Sequence, residues 1–226
     1  MARVEPEQLG LPRLAVERWE TTTVANVAAG VVERARVVEA SGGGRRHLVV
    51  VDGDGGSGKT TFARRLVAAL PGSGLVHVDD VSWWLDWTDW TDAMLDGVVR
   101  PWLSGTDVDY RPPGWIAKGR EGSVRATAAR FLVLEGVGAG RRELAPYVSY
   151  AAFVTADPLV AQERILVRDI GTDGDTRDEV FAFYADSQRI LVPFLLDQRP
   201  WERADLIVDG DHDAAGNDLR VARGLG

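Results

Sequence analysis

At 226 residues, with 45% hydrophobic and 27% charged residues, the chain is long and apolar enough to bury the core of one domain. Its net charge of −8 argues against a broad surface for nucleic acid or acidic membranes, which requires clustered Lys and Arg. Cysteine is absent, which excludes disulfides, thiolate zinc sites and a cysteine nucleophile, and no apolar run reaches the roughly 18 residues of a membrane span.

The first 45 residues are predicted to form a helical extension that ends in a glycine-rich connector. Residues 8–40 have a mostly helical pattern, and residues 41–44 supply the connector. The apolar run at 24–32 lacks the net cationic start of a signal peptide, so we expect a cytoplasmic protein. The sequence leaves open whether this leader packs on the core or mediates self-association into a homo-oligomer.

Residues 46–226 are predicted to form a second unit, a single α/β domain. Short β-branched runs alternate with longer helical patterns, which is typical of a mostly parallel sheet covered by helices on both faces. The five predicted strands are 47–52, 75–79, 130–135, 149–155 and 204–208, and the predicted helices are 59–70, 88–103, 158–168 and 178–197. The segment 104–122 is rich in Gly and Pro and is predicted to be a long loop.

The most specific motif follows the first strand of this domain. Residues 53–60 match G-x-x-x-x-G-K-[ST] and lie between a strand and a helix, the context that a phosphate-binding loop (P-loop) requires. The glycines let backbone N–H groups converge on phosphate oxygens, and the helix N-terminus adds partial positive charge. The sequence therefore predicts a three-layer P-loop NTPase fold that binds a nucleoside triphosphate.

The motif also assigns residues to this nucleotide site. Lys59 is expected to reach the β- and γ-phosphates of ATP, and the hydroxyl of Thr60 is expected to ligate Mg²⁺. The expected phosphate-binding residues are Gly53, Asp54, Gly55, Gly56, Ser57, Gly58, Lys59, Thr60 and Thr61. No N-K-x-D guanine motif occurs in the chain, which disfavours a GTPase switch.

Acidic residues end three of the predicted strands, at the sheet edge where α/β proteins bind ligands. Asp52 ends the first strand, Asp79 and Asp80 the second, and Glu135 the third. Such a carboxylate can hold Mg²⁺ through water or accept the proton of an attacking hydroxyl, or it can cap the following helix. The pattern favours a function for Glu135 and for one of the two adjacent acids, and leaves Asp52 open.

Several motifs, taken in order, resemble the uridine/cytidine kinase branch of the P-loop nucleoside kinases. After the loop they are D-D at 79–80, L-E-G-V at 134–137, A-D-P at 156–158, E-R-I-L-V-R-D at 163–169, V-P-F at 192–194 and A-D-L-I-V at 204–208. The resemblance implies an ATP-dependent kinase that uses Mg²⁺ and phosphorylates a hydroxyl of a small acceptor, with a pyrimidine nucleoside first in line.

The resemblance also implies catalytic roles for individual residues. Asp79 matches the base that faces the acceptor hydroxyl, and Asp80 remains the alternative because the aromatic pair of the family pattern is displaced here. Glu135 matches the glutamate that helps to hold Mg²⁺. The arginines that match cationic residues of the family's helix and lid are Arg164, Arg168 and Arg177. Their positive charges would neutralise the negative charge on the oxygens of the transferred phosphoryl group. The alternative is that these arginines form a solvent-exposed face of a helix.

The acceptor pocket departs most from the family pattern. Asp86 matches only the Asp of the family's Asp-His-Pro motif, which binds ribose hydroxyls. Tyr110, Arg111 and Trp115 are candidates to surround the base, and Trp83 is a further acceptor-binding candidate.

Six of the eight tryptophans lie between residues 83 and 115. Trp83, Trp87 and Trp90 have the i, i+4, i+7 spacing of one helical stripe, which packs in a core or serves as a stacking platform for the acceptor.

Two alternatives to a nucleoside kinase remain at this point. The chain could phosphorylate another small acceptor, such as a sugar, a vitamin precursor or an antibiotic. It could also be a nucleotide-binding regulatory module, in which ATP binding moves a partner surface through the N-terminal helix without acceptor turnover.

Overall fold

The computed structural model describes residues 9–170, 176–212 and 218–224. Its strands, in chain order, are β1 (Glu20–Thr23), β2 (His47–Gly53), β3 (Ser73–His77), β4 (Val108–Tyr110), β5 (Val124–Ala126), β6 (Phe131–Glu135), β7 (Val148–Thr155), β8 (Leu206–Asp209) and β9 (Asp218–Arg223). Seven of them form a central sheet in the order β1-β9-β8-β7-β2-β6-β3, and β4 pairs with β5 in a small antiparallel ribbon.

The prediction of a mostly parallel α/β sheet is confirmed. The five predicted strands correspond to β2, β3, β6, β7 and β8, which all run parallel to their neighbours within this group. The predicted total of five strands is wrong, because β9 pairs antiparallel with β8, and β1 pairs antiparallel with β9. These two strands are short and partly polar, so neither shows the continuous apolar run that reveals a central strand.

The helices are α1 (Val24–Ala40), α2 (Lys59–Ala69), α3 (Val78–Ser82), α4 (Thr91–Met94), α5 (Arg100–Ser104), α6 (Pro113–Ala117), α7 (Pro158–Asp169) and α8 (Arg177–Gln198). A π-helical turn, Leu95–Val99, joins α4 to α5. The 3₁₀ turns are Ala145–Tyr147 and Pro200–Arg203. Within the described residues, no helix has both the length and the apolar character needed to cross a bilayer.

The central strand β2 shows why the sheet has helices on both faces. Alternate side chains of a strand point to opposite faces, yet Leu48, Val49, Val50 and Val51 are all 0–1% exposed. Leu48 and Val50 pack in a cluster with α4, α5 and the turn between them, whereas Val49 and Val51 pack in a cluster with α1 and α2. The predicted three-layer arrangement is therefore present.

The structure of the leader, residues 9–40, differs from the predicted single helix. Of the predicted helix over 8–40, residue 8 lies outside the described residues, residues 9–19 are not helical, and residues 20–23 form β1. The helix begins only at Val24, because the side chain of Thr23 caps it and the preceding threonines pair with β9. The division of the chain at residue 45 stays a prediction, although α1 packs in the same apolar cluster as α2.

The aromatic segment 83–90 and the segment 104–122 also differ from prediction. Residues 83–90 form turns rather than a helical stripe, since α3 ends at Ser82 and α4 begins at Thr91. The predicted long loop contains β4 and α6, and it packs Trp115, which is 5% exposed, into the core.

Candidate active site

The phosphate-binding loop connects β2 to α2 and is held close to α7. Gly58, the residue before α2, has φ 94°, and Gly56 has φ 72°, both in the left-handed region that favours glycine. A Cβ on Gly56 would lie 2.1 Å from the carbonyl oxygen of Ala161 in α7. The ammonium of Lys59 bends back over the loop and donates to the carbonyl oxygen of Asp54 at 3.3 Å.

Asp54 supports this loop from inside the protein. Its carboxylate is 6% exposed and accepts hydrogen bonds from the backbone N–H of Leu11 and of Gly55, both at 2.7 Å. With its amide nitrogen turned toward Asp54, Gln188 donates to both carboxylate oxygens at 3.1 and 3.2 Å. Burial raises the pKa of Asp54. Its side chain therefore anchors the loop to the leader and to α8.

Thr60 and Glu135 lie side by side where β6 ends next to the loop. The Thr60 hydroxyl donates to Glu135 Oε1 at 2.8 Å, and Nδ1 of His77 lies 2.5 Å from Glu135 Oε2. Burial by itself would raise the pKa of Glu135, but the hydrogen bonds from His77 and Thr60 and the charge of Lys59 bring it below its usual value.

These contacts fit the ligand preference of Mg²⁺. The described residues contain no cluster of three or more His, Cys, Asp or Glu side chains that could hold a metal. Mg²⁺ is commonly held by one or two carboxylates together with substrate phosphates. The carboxylate of Glu135 and the hydroxyl of Thr60 supply oxygen donors of this kind beside the loop.

A cavity of about 480 Å³ opens next to the loop, between α3, α7 and α8. Lys59, Asp79 and Arg168 line it together with Gly55 and Gly56 of the loop. Its aromatic lining consists of Trp83, Trp84, Trp87, Trp90, Phe183 and Tyr184. The cavity thus joins the predicted phosphate site to an aromatic chamber.

The two adjacent acids after β3 have different surroundings. The strand ends at His77 and α3 begins at Val78, so Asp79 and Asp80 lie in the first turn of a helix. Asp79 lines the cavity, whereas Asp80 does not. Partial desolvation raises the pKa of Asp79, Lys59 opposes this, and the charge of Glu135 adds to it. A carboxyl group of raised pKa is a stronger base than an ordinary aspartate.

Two of the three predicted arginines lie at this site. Arg164 donates from Nη1 to the carbonyl oxygen of Gly56 at 3.3 Å. Arg168 lines the cavity and pairs with Asp169 through Nε and Nη2 at 2.5 and 2.8 Å. Arg177 instead pairs with Glu163 at 2.9 Å on the surface and lies outside the cavity, so its role at the transferred phosphoryl group stays a prediction.

The tryptophans between 83 and 90 divide between cavity wall and core. Trp83 and Trp84 are 48% and 44% exposed, and Trp90 is 1% exposed, so the single stripe expected from the spacing is not formed. Trp84 has φ 68°, an uncommon conformation for a bulky residue. Trp87 packs against Phe183 of α8 with ring centroids 5.3 Å apart.

Four acceptor-binding candidates lie outside the cavity. Asp86 is exposed, and its carboxylate accepts hydrogen bonds from the backbone N–H and the hydroxyl of Thr88, both at 3.1 Å. Tyr110 belongs to β4 and packs against the core, and Trp115 is part of that core. Arg111 donates to the carbonyl oxygen of Arg120 at 2.8 Å. The structure does not bring these residues to the cavity, because segment 104–122 folds onto the core, and their contact with the acceptor stays a prediction.

Asp52, which the sequence left open, has structural contacts. It is 1% exposed and accepts backbone hydrogen bonds from Gly53 at 2.7 Å and from Gly138 and Gly140 at 2.8 Å. Burial raises its pKa to about 6, against the effect of these three donors. Asp52 thus fastens the loop that follows β6 to the end of β2.

Sequence reasoning did not find Arg141, which supports the cavity wall. This side chain is 2% exposed, and its guanidinium lies 3.7 Å from the ring centroid of Trp90. It donates to the carbonyl oxygen of Thr88 at 2.9 Å and to the hydroxyl of Thr91. The only sequence signal is its place shortly after the L-E-G-V run, and that signal does not reveal the contact with Trp90.

Comparisons with known proteins agree with this fold. No family model and no curated protein sequence matches the chain. A solved structure described as a "putative fructose transport system kinase" from Silicibacter sp. TM1040 matches with a TM-score of 0.58 and 19% identity, over 78% of this chain and 95% of its own. The YGR205w protein matches with a TM-score of 0.50 and 15% identity, over 91% of this chain and 100% of its own.

A third solved structure, described as a "Possible Uridine Kinase" from Bacillus stearothermophilus, covers 79% of this chain and 98% of its own at 16% identity. Its TM-score of 0.47 is too low to favour uridine as the acceptor. The sheet order, the glycine loop and the first two structures together show that this chain has a three-layer P-loop fold.

Proposed function

We propose that this chain is an ATP-dependent kinase that transfers the γ-phosphoryl group to a hydroxyl of a small acceptor, with a pyrimidine nucleoside as the first candidate. The observation that carries this proposal is the continuity between the phosphate loop and the cavity at Lys59 and Asp79. The cavity volume of about 480 Å³ falls within the usual range for small-molecule sites.

In this proposal, the loop and α7 hold the triphosphate. Backbone N–H groups of residues 53–60 and the ammonium of Lys59 bind phosphate oxygens, and Arg164 and Arg168 approach from α7 to neutralise the transferred group. Thr60 and Glu135 would hold Mg²⁺. When bound, Mg²⁺ offsets the charge on the phosphate oxygens.

Asp79 faces the acceptor side of the site. Its carboxylate accepts the proton of the acceptor hydroxyl while the hydroxyl oxygen bonds to the γ-phosphorus, and the bond from that phosphorus to the bridging oxygen breaks to release ADP. The aromatic walls of the cavity exclude water, which otherwise competes as the acceptor. A cytoplasmic location and the lack of a nucleic-acid partner are further parts of this proposal.

The experiment compares Asp79→Asn with Asp80→Asn. We expect Asp79→Asn to reduce acceptor-stimulated ADP release by roughly 10²-fold or more while ATP affinity, measured by calorimetry, stays nearly unchanged. Asp80→Asn is the matched control, because Asp80 neighbours the base but lies outside the cavity. Full activity in Asp79→Asn together with its loss in Asp80→Asn would show that the other acid is the base.

One observation favours the second candidate, a nucleotide-binding regulatory module. The leader contacts the phosphate loop directly through the hydrogen bond from Leu11 N–H to Asp54 at 2.7 Å, so nucleotide binding could be transmitted to the leader. This candidate requires ATP binding without ADP release for any acceptor. A panel of nucleosides, sugars and vitamin-like alcohols therefore separates the two functions.

A further inference from the structure

We propose that the protein has a second anion-binding site, a basic groove that binds a small phosphorylated molecule carrying two or more negative charges. The basic groove is lined by Arg36, Arg45, Arg46 and Arg130, together with Glu39. It lies apart from the phosphate loop, and this inference does not depend on the proposed kinase function.

The basic groove lies at the edge of the sheet opposite the phosphate loop. Arg46 and Arg130 immediately precede β2 and β6, whereas the loop follows β2 and Glu135 ends β6. Because these two strands run parallel, both arginines lie at the same edge. The seven residues of β2 separate the two edges by roughly 20 Å, well beyond the screening length of about 8 Å in physiological salt. An anion in the groove is therefore distinct from the phosphates that the loop would hold.

The lining of the basic groove is positive in a chain whose net charge is −8. Four arginines and one glutamate among the described lining residues give it a net charge of +3. Ala128 and Ala129 complete this lining, and their small side chains leave space between the arginines. The groove has a volume of about 590 Å³, within the usual range for small-molecule sites. Its charge and size together fit a small molecule with two or three negative charges.

Arg46 is held at the groove without a carboxylate partner. Its side chain is half-buried, and its Nε is enclosed with no hydrogen-bond acceptor among the described residues. The guanidinium occupies the space beside Gly105, where a Cβ would lie 2.8 Å from Nη2. Gly105 follows α5, and the partial negative charge at this end of the helix attracts the guanidinium. The empty protein therefore already places one arginine where an anion can bind.

Glu39 does not neutralise the basic groove, because its carboxylate is bonded within the protein. Arg130 donates from Nε and Nη2 to Glu39 Oε1 at 3.3 and 3.0 Å. Nε2 of His47 lies 2.9 Å from the same oxygen. The carboxylate thus offsets the charge of Arg130 and fixes its position. The charges of the other three arginines remain uncompensated within the described lining.

Arg36 and Arg45 can turn toward a ligand. Arg45 is exposed, and none of the ion pairs around the groove involves it within the part of the chain that the structure describes. Arg36 pairs with Glu33 at 3.2 Å, but the two side chains are 67% and 66% exposed, and such surface pairs contribute little stability. A phosphate oxygen can therefore replace Glu33 at small cost. The groove combines one arginine in a fixed position with two that can adapt.

The chemistry of arginine indicates the class of ligand. The planar guanidinium donates two parallel hydrogen bonds to the oxygens of a phosphate or a carboxylate, and it stays charged at physiological pH. A single carboxylate would balance only one of the three uncompensated charges. A phosphoryl group carries about 1.5 to 2 negative charges at pH 7, so two linked phosphoryl groups match the charge of the lining.

The test measures binding of pyrophosphate, orthophosphate and acetate by calorimetry, without magnesium. The full chain carries Lys59→Ala, so that the phosphate loop contributes little to the heat. We expect pyrophosphate to bind with a dissociation constant below about 1 mM, orthophosphate to bind at least about tenfold more weakly, and acetate to show no binding. Raising NaCl from about 50 to about 500 mM should weaken pyrophosphate binding, because salt screens the charges.

Arginine variants in the same Lys59→Ala chain locate the site. Arg46→Gln should weaken pyrophosphate binding by about 10–100-fold, the loss expected for a hydrogen bond to a charged group. Arg45→Gln removes an exposed charge and should weaken binding by about 3–10-fold. Arg34→Gln is the matched control, because Arg34 is exposed on the same helix as Arg36 but does not line the groove. Its effect should stay within about twofold, since solvent and salt screen a charge outside the site.

Three outcomes overturn the proposal. The first is the absence of pyrophosphate binding to the Lys59→Ala chain. The second is an effect of Arg34→Gln as large as that of the groove variants. The third is sedimentation of the protein with vesicles that contain phosphatidylinositol bisphosphate when soluble pyrophosphate does not bind, because the groove would then recognise a lipid surface. Arg45 is exposed, so Arg45→Gln decides the matter even if Arg46→Gln fails to fold.

The result is separable from the kinase proposal. If pyrophosphate binds in the basic groove but ATP does not bind to the wild type, the kinase function fails and this inference stands. If ATP binding depends on Lys59 but the groove variants do not change pyrophosphate binding, the kinase function stands and this inference fails.

Discussion

Replacing Gly56 by Ala tests the contact between the phosphate loop and α7. The new Cβ would lie 2.1 Å from the carbonyl oxygen of Ala161, whereas ordinary contact begins at 3.4 Å, so α7 must move by about 1 Å. The left-handed φ of 72° costs a non-glycine residue about 1–2 kcal/mol, and overpacking adds about 1–3 kcal/mol. We therefore expect the free energy of unfolding to fall by about 2–5 kcal/mol.

The same movement displaces Arg164 and Arg168, which lie on α7. A misplacement of this size can reduce turnover by about 10²-fold, so ADP release should fall even where the variant is folded. Chemical denaturation and calorimetric titration with ATP measure the two effects separately.

Gly42→Ala is the matched control for this variant. Gly42 also has a left-handed φ, 85°, but a Cβ there meets nothing within 4 Å. The free energy of unfolding of Gly42→Ala should fall only by the backbone strain, about 1–2 kcal/mol, and its ATP affinity should be unchanged. If Gly56→Ala matches Gly42→Ala in both stability and ATP affinity, the reasoning about the close contact with α7 is refuted.

Three further predictions concern separate residues. Trp115→Ala should lower the free energy of unfolding by about 3–5 kcal/mol and leave ATP affinity unchanged in the folded protein, because Trp115 packs in the core; loss of ATP binding at full stability would contradict this. Lys59→Ala should weaken ATP binding measured by calorimetry by roughly 10–100-fold, the loss expected for a hydrogen bond to a charged group; unchanged affinity would contradict its assigned role. Asp52 has a pKa of about 6 in the folded protein and about 3.8 in the unfolded chain, so between these pH values the folded protein binds the proton more tightly. The free energy of unfolding of the wild type should therefore fall as the pH rises through this range. Relative to Asp52→Asn, the fall should be on the order of 3 kcal/mol. If the free energy of unfolding of the two proteins changes with pH in the same way, the raised pKa of Asp52 is contradicted.

The sequence revealed the elements whose pattern is local. The strands β2 and β6 are apolar on both faces, and the glycine loop has a fixed spacing, so the parallel sheet and the position of the loop could be predicted. The acid at the end of β6 was also visible, because its place follows from the strand that precedes it.

The parts that failed depend on contacts between distant segments. The polar strand β1 exists because β9 offers it a partner about 200 residues away in sequence, which no local pattern shows. The tryptophan spacing suggested a helix, but a left-handed φ at Trp84 turns the chain there. Arg141 was missed because its role arises only when α4 brings Trp90 beneath it.

The position of β1 has a practical consequence for shortened versions of the protein. This strand is four residues long and occupies one margin of the central sheet, where it covers β9. A version that starts at Val24 would leave the backbone N–H and C=O groups of β9 without the strand that pairs with them. An unpaired edge strand can form hydrogen bonds with strands of other molecules. Removal of the first 23 residues should therefore favour aggregation, although every residue of the phosphate loop is retained.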